Sequence, residues 1–157
     1  MFIEKVLIKK ACFNDLEEIL KLQKLAYISE AEIHENYSIK PLKQTLKEVQ
    51  EDFKKGLILK AMDESNKIIG SVRSCKINNI VSIEKLMVHP HYQNKGLGRK
   101  LLETIENYYP NENFELFTSH KSEKNLYLYE KLGYKEYKHE KISEDFYFIH
   151  LKKELLS

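Results

Sequence analysis

Residues 82–109, SIEKLMVHPHYQNKGLGRKLLETIENYY, constrain the fold more than any other part of the sequence. The apolar run at residues 86–88 predicts a strand, and His89-Pro90 ends it because proline cannot extend a strand ladder. A loop with two glycines follows, and then apolar residues at helical spacing predict a long amphipathic helix: Leu97, Leu101, Leu102, Ile105, Tyr108 and Tyr109. The segment therefore predicts a strand, a glycine-bearing loop and a helix in direct succession.

The loop at residues 93–98, QNKGLG, has the properties of an anion site. The first N–H groups of a helix have no partner inside the helix, and the helix dipole makes that end electropositive, so it attracts phosphate. Gly96 and Gly98 permit close approach of a ligand, and Lys95, Arg99 and Lys100 add positive charge. A plain strand-to-helix turn with packed glycines fits the same residues, because short glycine patterns often occur by chance.

The pattern Gln93-x-x-Gly96-x-Gly98 after this strand is similar to the acyl-CoA-binding signature Arg/Gln-x-x-Gly-x-Gly/Ala of the GNAT N-acetyltransferase superfamily. The resemblance implies that backbone amides of the loop hold the CoA pyrophosphate and that the strand offers backbone groups to the pantetheine arm. Acetyl-CoA is the implied co-substrate. The cofactor contacts implied here are Leu86, Met87, Val88, Gln93, Asn94, Lys95, Gly96, Leu97, Gly98 and Arg99.

A second motif lies at residues 122–134, SEKNLYLYEKLGY. On a helix, Ser122, Asn125 and Tyr129 share one face, which suits a polar ligand or simply a capped amphipathic helix. The core of the motif resembles the GNAT segment Asn-x-x-x-x-x-x-Tyr-Glu-x-x-Gly-Phe/Tyr. By that resemblance Tyr129 protonates the departing CoA thiolate and Asn125 contacts the cofactor, while Ser122 occupies the position where the family most often has asparagine.

Acetyl transfer also needs a base, because only a neutral amine attacks the thioester. The candidates are Glu84 on the central strand and His120 just after the strand at residues 114–118. A surface ion pair of Glu84 with Lys85 and a loop contact of His120 fit these positions equally well.

The acceptor is expected between the first two helices, where GNAT proteins usually place substrate-covering elements. The candidate residues there are Tyr27, Glu30, Glu32 and His34. Their carboxylates suit a cationic amine, and they also suit a solvated helix face.

The bulk composition limits the classes of protein that this chain can belong to. A length of 157 residues suits one domain with one sizeable core. With 42% hydrophobic and 32% charged residues, the chain is typical of soluble globular proteins. The formal net charge of +2 is too small to indicate a nucleic-acid partner.

Compartment and metal content are predicted from the same sequence. Cys12 and Cys75 show no metal-ligand spacing and no CxxC pair, so reduced thiols are expected, although a disulfide stays open. No apolar run has transmembrane length, and the N-terminal segment is too short and too charged for a signal peptide. We therefore expect a cytoplasmic protein with no membrane contact, and the histidine spacing predicts no metal site.

The order of elements predicts an α+β fold. Strands are expected at residues 2–11, 57–62, 67–77, 80–88, 114–118, 134–141 and 146–152. One helix is expected to begin at Asn14 or Asp15 and another at Pro41, with Leu42, Leu46, Val49 and Phe53 on one face; the helix from Leu97 and one over 122–132 complete about four. The resulting mixed, mostly antiparallel sheet of about six or seven strands also matches the GNAT fold, so residues 1–157 are expected to form one N-acetyltransferase domain.

The sequence favours an enzyme that moves an acetyl group from acetyl-CoA to a primary amine of a small molecule or peptide by direct attack. A non-catalytic acyl-CoA sensor or interaction domain of the same fold is the alternative. Family members are often dimers, so a homodimer is compatible with the resemblance.

Overall fold

A computed structural model describes residues 5–34 and 39–155, except for the side chains of Glu30, Ile33 and His34. Within these ranges seven strands form one sheet in the order β1-β2-β3-β4-β5-β7-β6. They are β1 (Leu7–Lys10), β2 (Leu57–Met62), β3 (Ile68–Ile77), β4 (Ile80–Val88), β5 (Asn113–Ser119), β6 (Lys135–Ser143) and β7 (Phe146–Lys153). β4 and β5 are parallel and all other neighbours are antiparallel. The mixed, mostly antiparallel sheet that the sequence predicts is therefore confirmed.

Within the described residues there are five α-helices. They are α1 (Leu16–His34), α2 (Lys40–Lys43), α3 (Leu46–Lys55), α4 (Leu97–Asn107) and α5 (Glu123–Lys131). Two short 3-10 turns, Phe13–Asp15 and Pro90–Tyr92, precede α1 and the loop to α4. The cap predicted at Asn14 or Asp15 lies earlier in the chain, at Cys12, directly before the 3-10 turn. The Asp15 carboxylate accepts a hydrogen bond of 2.7 Å from the backbone N–H of Cys12.

The prediction of a single helix from Pro41 onwards is wrong, because the chain forms the two helices α2 and α3 there. Thr45 has extended backbone angles and separates α2 from α3. Its side chain accepts a hydrogen bond of 3.2 Å from the N–H of Glu48, and the Glu48 carboxylate accepts one of 2.9 Å from the N–H of Thr45. This capping box satisfies N–H groups at the start of α3, so the chain gains a new helix start where a continuous helix was expected.

The sheet lies between two apolar layers. On one face α1 and α3 pack on the sheet around Leu16, Ile19, Leu22, Ala26, Val49, Ile58, Met62, Ile68 and Met87. On the other face α4 and α5 pack around Leu59, Val72, Val81, Ile83, Leu97, Leu101, Leu102, Ile105, Leu116 and Leu151.

The reversal predicted at Asn78-Asn79 is confirmed. Both residues have positive φ, 52° and 72°, and Ile77 pairs with Ile80 across the turn. A two-residue turn with positive φ at both positions matches the twist of the flanking strands, and asparagine tolerates this conformation better than most residues. The turn fixes the register of β4 against β3, and through it the position of the site.

Candidate functional site

β4 and β5 separate at the centre of the sheet. Their parallel pairing covers three positions and ends, within residues 39–155, at Ser82 opposite Glu115. β4 runs on to Val88 and β5 to Ser119. We call the gap between residues 83–88 and 116–119 the wedge. Backbone groups on its two edges are available to an extended ligand, as on any unpaired strand edge.

A β-bulge in β4 accompanies this separation. Arg73 pairs with Glu84 and Ser71 pairs with Met87, so Lys85 and Leu86 together lie opposite the single residue Val72. Lys85 has φ of +55°, an unfavourable conformation for a residue with a long side chain. A bulge bends its strand and increases the local twist, which directs the end of β4 away from β5.

The loop after β4 is held back against the strand that it leaves. The side-chain amide of Gln93 donates a hydrogen bond of 3.1 Å to the carbonyl oxygen of Val88. His89 is buried, and its Nδ1 accepts a hydrogen bond of 3.1 Å from the N–H of His91. Burial, with smaller contributions from Lys67 and His91, lowers the pKa of His89, which favours the neutral ring that this bond needs.

The N-terminus of α4 faces this loop. Gly96 precedes the helix with φ of +84°. The first hydrogen bond inside the helix runs from the N–H of Lys100 to the carbonyl oxygen of Gly96, at 3.1 Å. The N–H groups of Leu97, Gly98 and Arg99 are therefore those that a helix leaves unpaired inside itself. A side chain built on Gly98 would lie 3.8 Å from Leu128 and 3.9 Å from Val88. The first turn of α4 thus lies between β4 and α5, next to the wedge.

Charged and polar side chains surround this helix end. Asn94 is exposed with φ of +64°, and the Lys95 ammonium lies 5.7 Å from the centre of the Tyr92 ring. The guanidinium of Arg99 lies 3.5 Å from Glu103. The side chains of Leu97 and Met87 are buried in the two cores, so of these predicted contacts only their backbone groups can face a ligand.

α5 lines the β5 side of the wedge. Asn125 donates a hydrogen bond of 3.3 Å to the hydroxyl of Thr118 on β5. Ser122 is buried and precedes α5, and its N–H bonds to the carbonyl of Ser119 at 3.0 Å. Tyr129 is 5% exposed, with its ring centre 6.1 Å from that of Tyr134. The structure therefore holds Asn125 at the end of β5, and Tyr129 lies one turn further along the same helix.

Tyr134 anchors the end of α5. Its N–H bonds to the carbonyl of Tyr129 at 3.0 Å across Gly133, whose φ is +99°, in the manner of a glycine-terminated helix. Its hydroxyl donates a hydrogen bond of 2.6 Å to the Glu106 carboxylate. The same carboxylate also accepts a hydrogen bond of 3.0 Å from the Lys153 ammonium. Burial and the Glu106 carboxylate raise the pKa of Tyr134 far above its usual range, so this phenol keeps its proton.

The opposite face of the sheet carries a buried polar network around Arg73, which is 3% exposed. Its guanidinium donates hydrogen bonds of 2.6 Å to Gln23, 3.1 Å to Gln44 and 3.3 Å to Asp52. The side-chain amide of Gln44 in turn donates a hydrogen bond of 3.0 Å to the Asp52 carboxylate. The network joins α1, α3 and the segment between α2 and α3 to β3.

Glu84 and Lys85 lie beside this network. A cavity of about 190 Å³ opens between α3, β3 and β4, lined in part by Asp52, Arg73, Ser82 and Glu84. The Glu84 carboxylate is exposed, which leaves it accessible to an acceptor. Burial lowers the pKa of the Lys85 ammonium, while the nearby Glu84 carboxylate opposes that shift.

His120 is tied to the closing hairpin. Its ring Nδ1 accepts a hydrogen bond of 3.0 Å from the backbone N–H of Tyr147. The backbone N–H of His120 donates a hydrogen bond of 2.9 Å to the Tyr147 carbonyl oxygen. With Nδ1 used as an acceptor, the neutral ring carries its proton on Nε2. In this arrangement neither ring nitrogen offers a spare lone pair to an amine.

The predicted acceptor residues are only partly described. Tyr27 is half-buried on α1. Glu32 is exposed. The side chains of Glu30 and His34 lie outside the described residues.

The structure adds three residues that sequence reasoning did not single out: Arg73, the bulged Lys85 and the exposed Phe117 of β5. An arginine inside the apolar run of β3 was a readable sign of a buried charge. Phe117 alternates with the buried Leu116 and Thr118, which was a readable sign of an outward position.

Residues 5–34 and 39–155 contain neither a cluster of metal-ligating side chains nor a membrane-spanning helix. No three His, Cys, Asp or Glu side chains in that part of the chain come together as they would around a metal ion. In the same ranges no helix is both long and apolar enough to cross a membrane. Cys12 and Cys75 are both free thiols, so the disulfide left open by the sequence does not form.

Comparisons with known proteins agree with this geometry. A family model described as an acetyltransferase (GNAT) domain matches residues 25–155. The UPF0157 protein YqkA of Bacillus subtilis (strain 168) is 30% identical over 120 residues, which is 76% of this chain but 34% of that protein, so the chain spans about a third of that curated relative.

Solved structures share the fold over nearly the whole chain. The ribosomal-protein-S18-alanine N-acetyltransferase of Escherichia coli is similar with a TM-score of 0.79 at 16% identity, covering 97% of this chain and 96% of that one. The PaiA N-acetyltransferase of Thermoplasma acidophilum, in complex with coenzyme A, has a TM-score of 0.68 at 22% identity, covering 96% and 99%. At these identities the likeness establishes the fold alone.

Proposed function

The chain belongs to the GNAT acetyltransferase family, and we propose that it moves an acetyl group from acetyl-CoA to the primary amine of a small molecule or peptide. In this reaction the neutral amine nitrogen attacks the carbonyl carbon of the thioester. A C–N bond forms and the C–S bond breaks. One proton leaves the amine, and one proton reaches the thiolate sulfur of CoA.

The observation that carries the proposal is the position of the α4 N-terminus beside the wedge. Three helix N–H groups that lack a partner inside the helix, those of Leu97, Gly98 and Arg99, suit a pyrophosphate. The unpaired edge of β4 at residues 86–88 suits an extended chain that carries amide groups, such as a pantetheine arm. The helix end and this strand edge both border the wedge, and we propose that the donor and the acceptor meet there.

The proton-transfer roles follow from the two edges of the wedge. Tyr129, on the helix that lines β5, is the proposed acid that gives its phenol proton to the thiolate. Glu84, exposed on the opposite face of β4, is the proposed base that receives the amine proton directly or through one water. Asn125 and Ser122 are the proposed polar contacts of the cofactor, with Asn125 held by Thr118.

Isothermal titration with acetyl-CoA and CoA tests the donor half of this proposal. Wild-type protein is expected to bind both, and Gly96→Glu is expected to abolish binding because it places a carboxylate where an anion is held. Gly133→Glu is the matched control: Gly133 also has positive φ, +99°, but lies at the C-terminal end of α5. The control shares the backbone strain without the anion site, so it should lose stability and retain binding.

A thiol-release assay on a panel of amines tests the acceptor half. The panel contains polyamines, amino acids, aromatic amines and peptides, each with acetyl-CoA. Turnover of at least one amine supports the enzyme. Failure to bind either CoA species at high concentration would remove the proposal, while binding without turnover across the panel would favour a non-catalytic acyl-CoA sensor.

A further inference from the structure

Strands β5, β6 and β7 carry a cluster of aromatic side chains, two exposed and three half-buried, on the face opposite α4 and α5. We define this aromatic face by Phe117, Tyr137, Phe146, Phe148 and His150. The ring centres of Phe117 and Phe148 are 4.9 Å apart, those of Phe117 and His150 are 5.4 Å apart, and those of Phe146 and Phe148 are 5.2 Å apart. Phe117 is 42% exposed and Tyr137 is 43% exposed. A contiguous cluster of partly exposed rings is a candidate binding surface for an apolar group.

The aromatic face begins at the wedge. Ser82 of β4 lies opposite Glu115 of β5 in the parallel register. Two residues further along each strand, on the same face, come Glu84 and Phe117, because side chains alternate with a period of two. Glu84 and Phe117 therefore flank the open wedge from its two sides, where an acceptor amine would enter.

Carboxylates border the aromatic face. Glu115 accepts a hydrogen bond of 3.0 Å from the hydroxyl of Tyr137, and Glu140 lies 2.8 Å from Nε2 of His150. Glu84 is an exposed carboxylate at the β4 side of the wedge. A ligand that matches this surface carries a cationic amine at one end and a flat apolar group at the other.

We propose that the acceptor is a small primary amine on a short chain that carries an aromatic ring, with the ring on Phe117 and its neighbours and the amine at Glu84. This inference rests on the proposed acetyltransferase function. A polyamine would use the carboxylates but would leave the rings in water. An amine with an aromatic ring covers the rings and reaches the wedge from the same side.

Steady-state kinetics with three probe amines test this inference: 2-phenylethylamine, n-butylamine and spermidine. The kcat/KM for 2-phenylethylamine is expected to exceed that for n-butylamine by roughly tenfold or more, as apolar pockets discriminate by such factors. Phe117→Ala is expected to raise the KM for 2-phenylethylamine by about tenfold, while its kcat, the KM for acetyl-CoA and the KM for n-butylamine stay near wild type. Phe117→Leu, which keeps an apolar side chain of similar reach, should lie between the two and guards against misfolding of the alanine variant.

Phe13→Ala is the matched control. Phe13 is also exposed and also contacts another ring, that of Phe53 at 6.0 Å, but it follows β1 at the far edge of the sheet. The control should leave the KM of all three amines unchanged.

The outcomes separate this inference from the function on which it rests. Absence of acetyl-CoA binding and of turnover with every amine would remove the proposed function itself. Turnover that prefers spermidine or peptides to 2-phenylethylamine would overturn the inference and keep the enzyme. An equal rise in the KM values of 2-phenylethylamine and n-butylamine in Phe117→Ala would also overturn the inference. Dissociation of a dimer by Phe117→Ala would overturn it as well, since the aromatic face would then bind a second copy of the chain.

Discussion

The side-chain amide of Gln93 donates a hydrogen bond of 3.1 Å to the carbonyl oxygen of Val88, the last residue of β4. The bond closes the loop between β4 and α4 across five residues. It fixes the direction in which the chain leaves the strand, and therefore the angle at which the N-terminus of α4 meets the wedge. The strand edge and the helix end then behave as one preformed surface rather than as two independent elements.

Gln93→Ala is expected to weaken acetyl-CoA binding several-fold, because the loop must then be ordered at the expense of binding free energy. The loss of one partly buried hydrogen bond should lower the free energy of unfolding by about 1 kcal/mol. Isothermal titration and urea denaturation measure the two effects. Gln93→Arg keeps a donor that reaches the Val88 carbonyl and should retain most of the affinity. Equal affinities of wild type and Gln93→Ala would contradict a positioning role for this bond.

Tyr129→Phe is expected to lower kcat by about 10²-fold or more, within the range of general acid catalysis, and to change the KM for acetyl-CoA little. The reason is that phenylalanine fills the same buried site but has no proton to donate. Tyr134→Phe is the matched control on the neighbouring ring. It loses the bond to Glu106 and should cost about 1 kcal/mol of stability with kcat retained. A normal kcat for Tyr129→Phe would exclude this phenol as the acid.

Arg73→Met is expected to lower the free energy of unfolding by about 3 kcal/mol, as when one partner of a buried ion pair is removed. Gln23, which is fully buried, would lose its guanidinium donor where water does not reach it, and Asp52, whose side chain is 33% exposed, would lose its charged partner. Urea denaturation measures the change. Lys54→Met is the control, because Lys54 and Glu51 are both exposed and 4.0 Å apart, and such pairs contribute little. Similar midpoints for Arg73→Met and wild type would show that the network does not hold α1 and α3 on the sheet.

The Asp15–Lys60 ion pair predicts a loss of stability in acid. Burial opposes ionisation of Asp15, but hydrogen bonds of 2.7 Å from Lys60 and from the N–H of Cys12 outweigh it and hold its pKa below the ordinary 3.8. A carboxyl whose folded pKa is depressed contributes stability above its unfolded pKa and loses it as the pH falls through the folded pKa. The contribution should therefore be complete above about pH 5 and decline below about pH 4.

Urea denaturation of wild type and Asp15→Asn across that pH range measures the contribution. The difference between the two proteins should shrink steadily as the pH falls below about 4. Glu64→Gln is the control, since Glu64 and Lys5 are both well exposed at 3.5 Å, and it should show no such trend. A difference between wild type and Asp15→Asn that stays constant from neutral to acid pH would contradict the shifted pKa.

Local patterns in the sequence were sufficient to predict most of the fold. Residues 57–62 and 80–88 are strands with the predicted bounds, because apolar alternation and the Asn78-Asn79 turn act over a few neighbouring residues. The break between α2 and α3 was also readable, since Thr45 and Glu48 have the spacing of a capping box. The apolar positions from Leu42 to Phe53 keep helical spacing across the break, and this spacing led to the prediction of one continuous helix.

The shape of the site depended on contacts that are distant in sequence. The positive φ of Lys85 arises from the pairing of β4 with β3 and has no marker in the residues around it. The position of Glu84 across the wedge from Phe117 requires the parallel register of β4 and β5, whose strands are separated by a whole helix. Family resemblance could therefore identify the donor loop, whereas the acceptor side became readable only once the sheet was assembled.

Glu84→Gln is expected to lower kcat/KM at neutral pH by about 10²-fold or more, because glutamine keeps the size of the side chain but cannot accept the amine proton. If the carboxylate is the base, raising the pH should restore part of the activity, since a larger fraction of the amine is then neutral before it binds. Measuring kcat/KM against pH for wild type and variant tests both expectations together.

Glu115→Gln is the matched control for this experiment. Glu115 lies on the same face and opposite Ser82, two residues before the wedge, and its carboxylate already accepts a hydrogen bond from Tyr137. It should keep the kcat/KM and the pH profile of wild type. If Glu84→Gln also keeps both, the Glu84 carboxylate is not the base. Because the contacts of His120 leave its ring nitrogens without a spare lone pair, the proton would then have to leave the amine through water in the open wedge.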